Sequence, residues 1–251
     1  MMATFRWLED VIIALLFIYY NKIIRSFQQA QADRNDRLIK MALDRLTLIE
    51  QGKGNYSDDE PFIIACGDQQ KPNNRLLPED MRFLSHTKAP HDLLRADGTL
   101  TNEIIHCVRT PEFGPFFFNL YNGYGFGANK TTVRGFLSSQ AIYTTEGFGV
   151  YEDSVRGVDW DSSYASPIGN IRHIHAPLLM MGLTGSYEYL ASEMIAEKAV
   201  SENQTLVFVH GASHMFTPNH AAEKTPGEFG DTEAAVYDRM ALWMRDIRGS
   251  L

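Results

Sequence analysis

Residues 176–214 read APLLMMGLTGSYEYLASEMIAEKAVSENQTLVFVHGASH, and this stretch decides the fold. PLLMMG at 177–182 is a short apolar run led by proline, the pattern of a strand covered on both faces. TLVFVH at 205–210 is a second such strand. Between them, residues 188–201 set Leu190, Met194, Ile195 and Ala199 along one stripe of a helix. Strand, helix and strand with short connections make a βαβ unit, so the two strands are expected to be adjacent and parallel. A loop follows at 211–218. Residues 232–247 then close as an amphipathic helix through Val236, Met240, Trp243, Met244 and Ile247. In open α/β sheets, ligands gather at the carboxyl ends of strands. Two such ends are legible here, at 182–188 and 211–214.

Upstream the texture is less regular. Residues 33–51 form an amphipathic helix with Leu38, Ala42, Leu46 and Ile49 on its stripe, widened by Met41 and Leu43 and ended by Gly52 and Gly54. A short strand is expected at 62–66, a strand or helix at 103–109, and a helix at 132–142. Residues 113–127 mix seven aromatics with four glycines, which excludes a regular helix and reads as an irregular loop or an aromatic-lined pocket. Residues 147–167 read as loop. At the amino end, residues 11–20 (VIIALLFIYY) carry no charged group but fall short of the roughly 20 residues of a bilayer span. Acids precede the run, and Asn21-Lys22 follows it, a poor context for signal cleavage. A buried or surface-lying helix is the expectation; a membrane anchor is not favoured.

Apolar residues are 44% and charged residues 22% of the 251, the balance of an ordinary globular chain. The formal net charge of −8 argues against a nucleic-acid partner, since counterion release needs a basic surface. Two cysteines, Cys66 and Cys107, make no disulfide framework and read as free thiols in a reducing, cytoplasmic compartment.

The Pro-led strand, the loop after it, the helix, the last strand and Gly211-x-x-His214 resemble the carboxyl-terminal half of an α/β-hydrolase. Residues 31–61, 132–141 and 153–167 are similar to matching stretches of a fungal and bacterial branch of that superfamily. The resemblance implies that His214 is the catalytic base. It also implies an acid on the loop after the first strand: Glu188 is the candidate, with Asp159 and Asp161 as alternatives. The ordinary reading of Glu188, an acid at a helix start, stays open beside it. One element of the family is missing. Its nucleophile sits in a Gly-x-Ser-x-Gly elbow, and this sequence contains none. Gly211-Ala212-Ser213-His214-Met215 does not close with the second glycine, and Gly185-Ser186 lacks the frame. A truncated hydrolase would give this pattern.

Metal binding is the rival use of the histidines. His173-x-His175 and His210-x3-His214 would offer imidazoles, but Gly211 breaks the helix that would put His210 and His214 on one face, and His-Glu-x-x-His is absent. No metal or other cofactor is expected.

The fold class is therefore α/β: a partial hydrolase-like parallel sheet with a carboxyl-terminal βαβ unit, preceded by an irregular lid-like region. The divisions fall at 1–24 (apolar segment), 25–165 (lid-like region) and 166–251 (core portion). The expected function is that of a hydrolase-like protein, ancestrally a serine hydrolase of ester, thioester or similar acyl bonds, lacking its nucleophile. The alternative is a non-catalytic protein that binds a small apolar ligand or a partner chain. With few strands legible, an exposed sheet edge would also invite self-association.

Overall fold

A computed structural model describes residues 3–65, 81–110, 128–162, 165–186 and 189–250. The helix expected at 33–51 is the end of a much longer one: α1 runs Ala3–Glu50, 48 residues, and takes in the apolar run at 11–20. At about 1.5 Å per residue it extends about 72 Å. Gly52 ends it at φ +70, where its N–H reaches Ile49 O (2.9 Å) while Lys53 N–H reaches Leu48 O (2.8 Å). This pair of bonds satisfies carbonyls the helix would leave open. Its packed face is Ile24, Ala32, Ile39, Ala42 and Ile49. Met41 and Leu43, expected to widen the stripe, are exposed instead, because the contacting elements cover one narrow arc. Among the described residues no helix is long and apolar enough to cross a membrane.

The described strands form three sheets, and two of them pack against this helix. Strand β1 (Pro61–Ala65) pairs antiparallel with β4 (Ala128–Thr132), which runs straight into α2 (Val133–Ser139). Thr132 caps α2 by accepting from Gly135 N–H. Phe62, Ile64, Val133 and Phe136 close on Ile39, Ala42 and Ile49 of α1 as one apolar cluster. Residues 147–167, expected as loop, instead contribute to a hairpin of β5 (Tyr143–Val150) and β6 (Val155–Asp159). Gly147, Gly149 and Gly157 thin the apolar alternation there, and the register slips between Thr144 and Gly149. Gln28 of α1 donates to Val150 O at 3.1 Å and fastens the hairpin to the helix.

The main sheet has four strands in the order β3-β2-β8-β7. Here β2 is His86–Leu94, β3 Leu100–His106, β7 Leu178–Leu183 and β8 Gln204–Val209. As expected, β7 and β8 are adjacent and parallel, in register from Leu178↔Gln204 to Leu183↔Val209. The sheet as a whole is mixed rather than parallel: β2 also runs parallel to β8, but β3 is antiparallel to β2. Strands β2 and β3 come from the stretch read as lid-like and complete the sheet that β7 and β8 begin. Central β8 buries Val207, Phe208 and Val209 in succession, whereas β7, with β8 its only strand partner among the described residues, is merely half covered.

Helix α3 (Pro167–Asn170) and a 3-10 turn precede β7. Helix α4 (Tyr189–Lys198) crosses from β7 to β8, and α5 (Thr232–Ser250) ends the chain. The stripe expected on α4 is corrected. Tyr189, Leu190 and Glu193 are its buried residues, while Met194 and Ile195 are only half-buried. On α5 only Val236 of the expected stripe is fully covered, and Met240 and Met244 are exposed.

Candidate functional site

The parallel register of β7 and β8 brings their carboxyl ends side by side, and the loops leaving them are stitched together. Thr184 N–H donates to Val209 O at 3.2 Å, and Gly211 N–H donates to the Thr184 hydroxyl at 2.8 Å. Gly185 N–H reaches Ala212 O at 2.8 Å. Gly211 holds φ +74, and a Cβ there would lie 2.0 Å from the Phe229 ring, so the sharp exit from β8 requires glycine. A third segment joins them: Val108 N–H donates to Thr184 O (2.8 Å), and Asn219 Nδ2 donates to Val108 O (2.8 Å).

On this base the chain makes a tight turn. Phe216 N–H closes on Ser213 O (2.9 Å), Ser213 N–H on Thr217 O (2.8 Å), and Ala212 bridges Pro218. His214 occupies the first corner of that turn and is exposed, with Met215 and Phe216 exposed beside it. Phe216 sits at φ +67, and its carbonyl accepts from the buried Thr232 hydroxyl at the start of α5. The turn is thus held at both feet while its tip faces solvent. Glu188, the expected orienting acid, lies outside the described residues. So do residues 113–127, the expected aromatic pocket, and Cys66.

The other sequence candidates have local engagements. Asp159 accepts from Asp161 N–H at 3.0 Å, and Asp161 pairs with Arg172 Nη2 at 2.8 Å. His210 packs its ring edge-on against Phe229, centroids 4.8 Å apart, and its Nδ1 faces Arg95 Nη1 at 3.4 Å. Burial pushes its pKa below the usual 6.5, and the Arg95 guanidinium adds to that. His210 is therefore a neutral packing residue. Ser213 Oγ shares a bond with Thr217 Oγ1 at 2.9 Å, and Ser186 is buried. No group of three or more His, Cys, Asp or Glu side chains suited to a metal ion occurs among the described residues.

The structure adds residues that spacing did not reveal. Beneath the 184–186 loop, buried Arg109 donates through Nη1 to Leu84 O (3.0 Å) and Cys107 Sγ (3.0 Å), and through Nη2 to Phe83 O (2.6 Å). Tyr189 Oη donates to the same Leu84 O at 3.1 Å. Burial pushes the Cys107 thiol up against the pull of Arg109, so it stays protonated. Such a thiol is a poor nucleophile. On α4, buried Glu193 takes N–H groups of Lys88 and Ala89 and faces His91 Nε2.

Comparison with protein-family models, curated proteins and solved structures finds no match to this chain.

Proposed function

We propose that this chain is an α/β-hydrolase-like protein in which His214 is the general base toward ester, thioester or similar acyl bonds, with Glu188 as the acid that orients the imidazole. One observation carries the proposal: the βαβ unit delivers the Gly211-x-x-His214 loop to the carboxyl edge of parallel strands, with an exposed imidazole on a turn anchored at both ends. That edge is where α/β proteins perform chemistry. The chain holds no Gly-x-Ser-x-Gly, and its two serines near the loop are buried or bonded to a neighbouring hydroxyl. The reaction it supports runs through water. His214 takes a proton from a water molecule, the oxygen attacks the acyl carbon, and the proton passes to the leaving group. A cytoplasmic setting goes with this proposal, since a chain with two cysteines makes no disulfide framework.

The test is turnover of p-nitrophenyl acetate by the purified chain. The expected result is slow, linear release of nitrophenol with no burst, because no acyl-serine accumulates. His214→Ala lowers the rate at least about tenfold, and Glu188→Gln lowers it by a smaller factor. A rate unchanged in His214→Ala rejects the proposal.

A further inference from the structure

Between the middle of α1 and the β5–β6 hairpin lies a groove of about 350 Å³. None of its lining residues belongs to the loops around His214. We infer that this groove binds a small, neutral, ring-shaped molecule carrying a hydroxyl group. The inference is independent of the hydrolase proposal. The volume is at the lower end of small-ligand pockets, which run from about 300 to about 1,000 Å³, and is too small for a folded partner. Phe148, Val155, Val158 and Trp160 form its walls. Each is half-buried, so apolar surface stays in contact with water inside a concave wall. Covering that surface supplies the driving force, and the indole and phenyl faces favour a flat ring.

Charge and hydrogen bonding narrow the ligand further. No lining side chain is charged, so an anionic or cationic ligand would lose water without gaining a counter-charge. The adjacent acid Asp36 already accepts from the Thr144 hydroxyl at 3.2 Å. The rim offers an amide handle: Asn35 Nδ2 donates to Ile142 O at 2.6 Å, and its carbonyl oxygen accepts no bond among the described residues. A ligand hydroxyl donates to that oxygen. The walls are preformed, because Gln28 and Asn35 fix both β5 and the approach to it against α1. Little ordering cost is left for binding.

The probe is 2-naphthol, with 2-naphthoate as its anionic counterpart. The readout is the indole N–H resonances of Trp7, Trp160 and Trp243, with Trp160 assigned by Trp160→Phe. The Trp160 signal is expected to move saturably with 2-naphthol while Trp243 stays in place. Ala32→Leu, which fills the floor, and Val158→Asn, at a half-exposed strand position, each weaken binding at least about tenfold, as does the carboxylate of 2-naphthoate. No saturable movement of Trp160, equal movement of Trp160 and Trp243, or equal affinity for 2-naphthoate would overturn the inference. Each of those results leaves the effect of His214→Ala on ester turnover unaltered, so the two proposals fail separately.

Discussion

The imidazole Nε2 of His91 lies 2.9 Å from the Glu193 carboxylate, across the seam between β2 and α4. The same carboxylate accepts Lys88 N–H at 3.1 Å and Ala89 N–H at 3.2 Å. These amides sit where the β2–β3 register breaks, between His86 and Pro90. A proline within an interior strand would ordinarily cost a ladder bond. Here a side chain from the crossover helix takes the place of the missing strand partner. Lys88 Nζ to Glu197 at 3.3 Å lies over the same seam, but both ends are exposed and the pair adds little. Docking of α4 on the sheet and completion of β2 are thus one event.

Removing that carboxylate should therefore loosen strand and helix together. Glu193→Ala leaves two amides and an imidazole without their acceptor and is expected to cost about 2–4 kcal/mol. Glu193→Gln keeps an acceptor oxygen and costs less. Urea unfolding by circular dichroism measures both. Equal midpoints for Glu193→Ala and the parent chain would show that the seam contributes nothing.

What the sequence made legible follows from this chemistry. Strands β7 and β8 announced themselves because their apolar runs are uninterrupted, and Gly211-x-x-His214 followed directly from the end of β8. Strand β2 reads HTKAPHDLL, with a proline and four charged or imidazole side chains, so nothing local marks it as a strand. Its pairing depends on Glu193, more than 100 residues away in sequence. Glu193 in turn looks like an exposed-face acid of an amphipathic helix. The β5–β6 hairpin was hidden by its glycines. Arg109 carries no spacing signal at all, and its role under the 184–186 loop appears only when Phe83, Leu84 and Cys107 meet it.

The exit from β8 gives a steric prediction. Gly211→Ala places a methyl 2.0 Å from a Phe229 ring carbon and holds a left-handed φ. It is expected to cost about 3 kcal/mol or more, since the ring is buried and cannot retreat without opening the core. Gly52→Ala has a similar φ of +70 but nothing within 4 Å of the new methyl. It should cost only about 1 kcal/mol, the strain of the left-handed backbone alone. Thermal unfolding of both variants measures the difference. Equal costs would mean that Phe229 moves aside freely.

A fluorophosphonate probe should leave every serine of the chain unlabelled. The reagent traps a serine activated by a base, and none sits in a Gly-x-Ser-x-Gly turn. Ser186 is buried, and the hydroxyl of Ser213 is engaged with Thr217. Intact mass after incubation, followed by peptide mapping, reads the result. Stoichiometric adduct on Ser186 or Ser213 would show a nucleophile that the geometry does not provide.

Acid should weaken the packing of the loop after α1 against that helix. Arg45 grips Glu60 from two nitrogens, Nε to Oε2 at 2.8 Å and Nη2 to Oε1 at 2.6 Å, and Asn55 N–H donates to the same carboxylate. The guanidinium beside Glu60 holds its carboxyl below the usual 4.5, and the Asn55 amide lowers it further. As the pH falls, the unfolded chain takes up this proton first, while the folded chain still holds a carboxylate. The stabilisation is therefore complete above 4.5 and is lost as the pH falls through the lower folded value. Asp97 and Glu103 are displaced in the same direction and share the slope. Glu60→Gln removes one part of it: the variant should be less stable than the parent at about pH 7 and approach it at about pH 3. Urea midpoints across that range check the sign. A gap between parent and variant that widened as the pH fell would mean that Glu60 is not held as a carboxylate by Arg45.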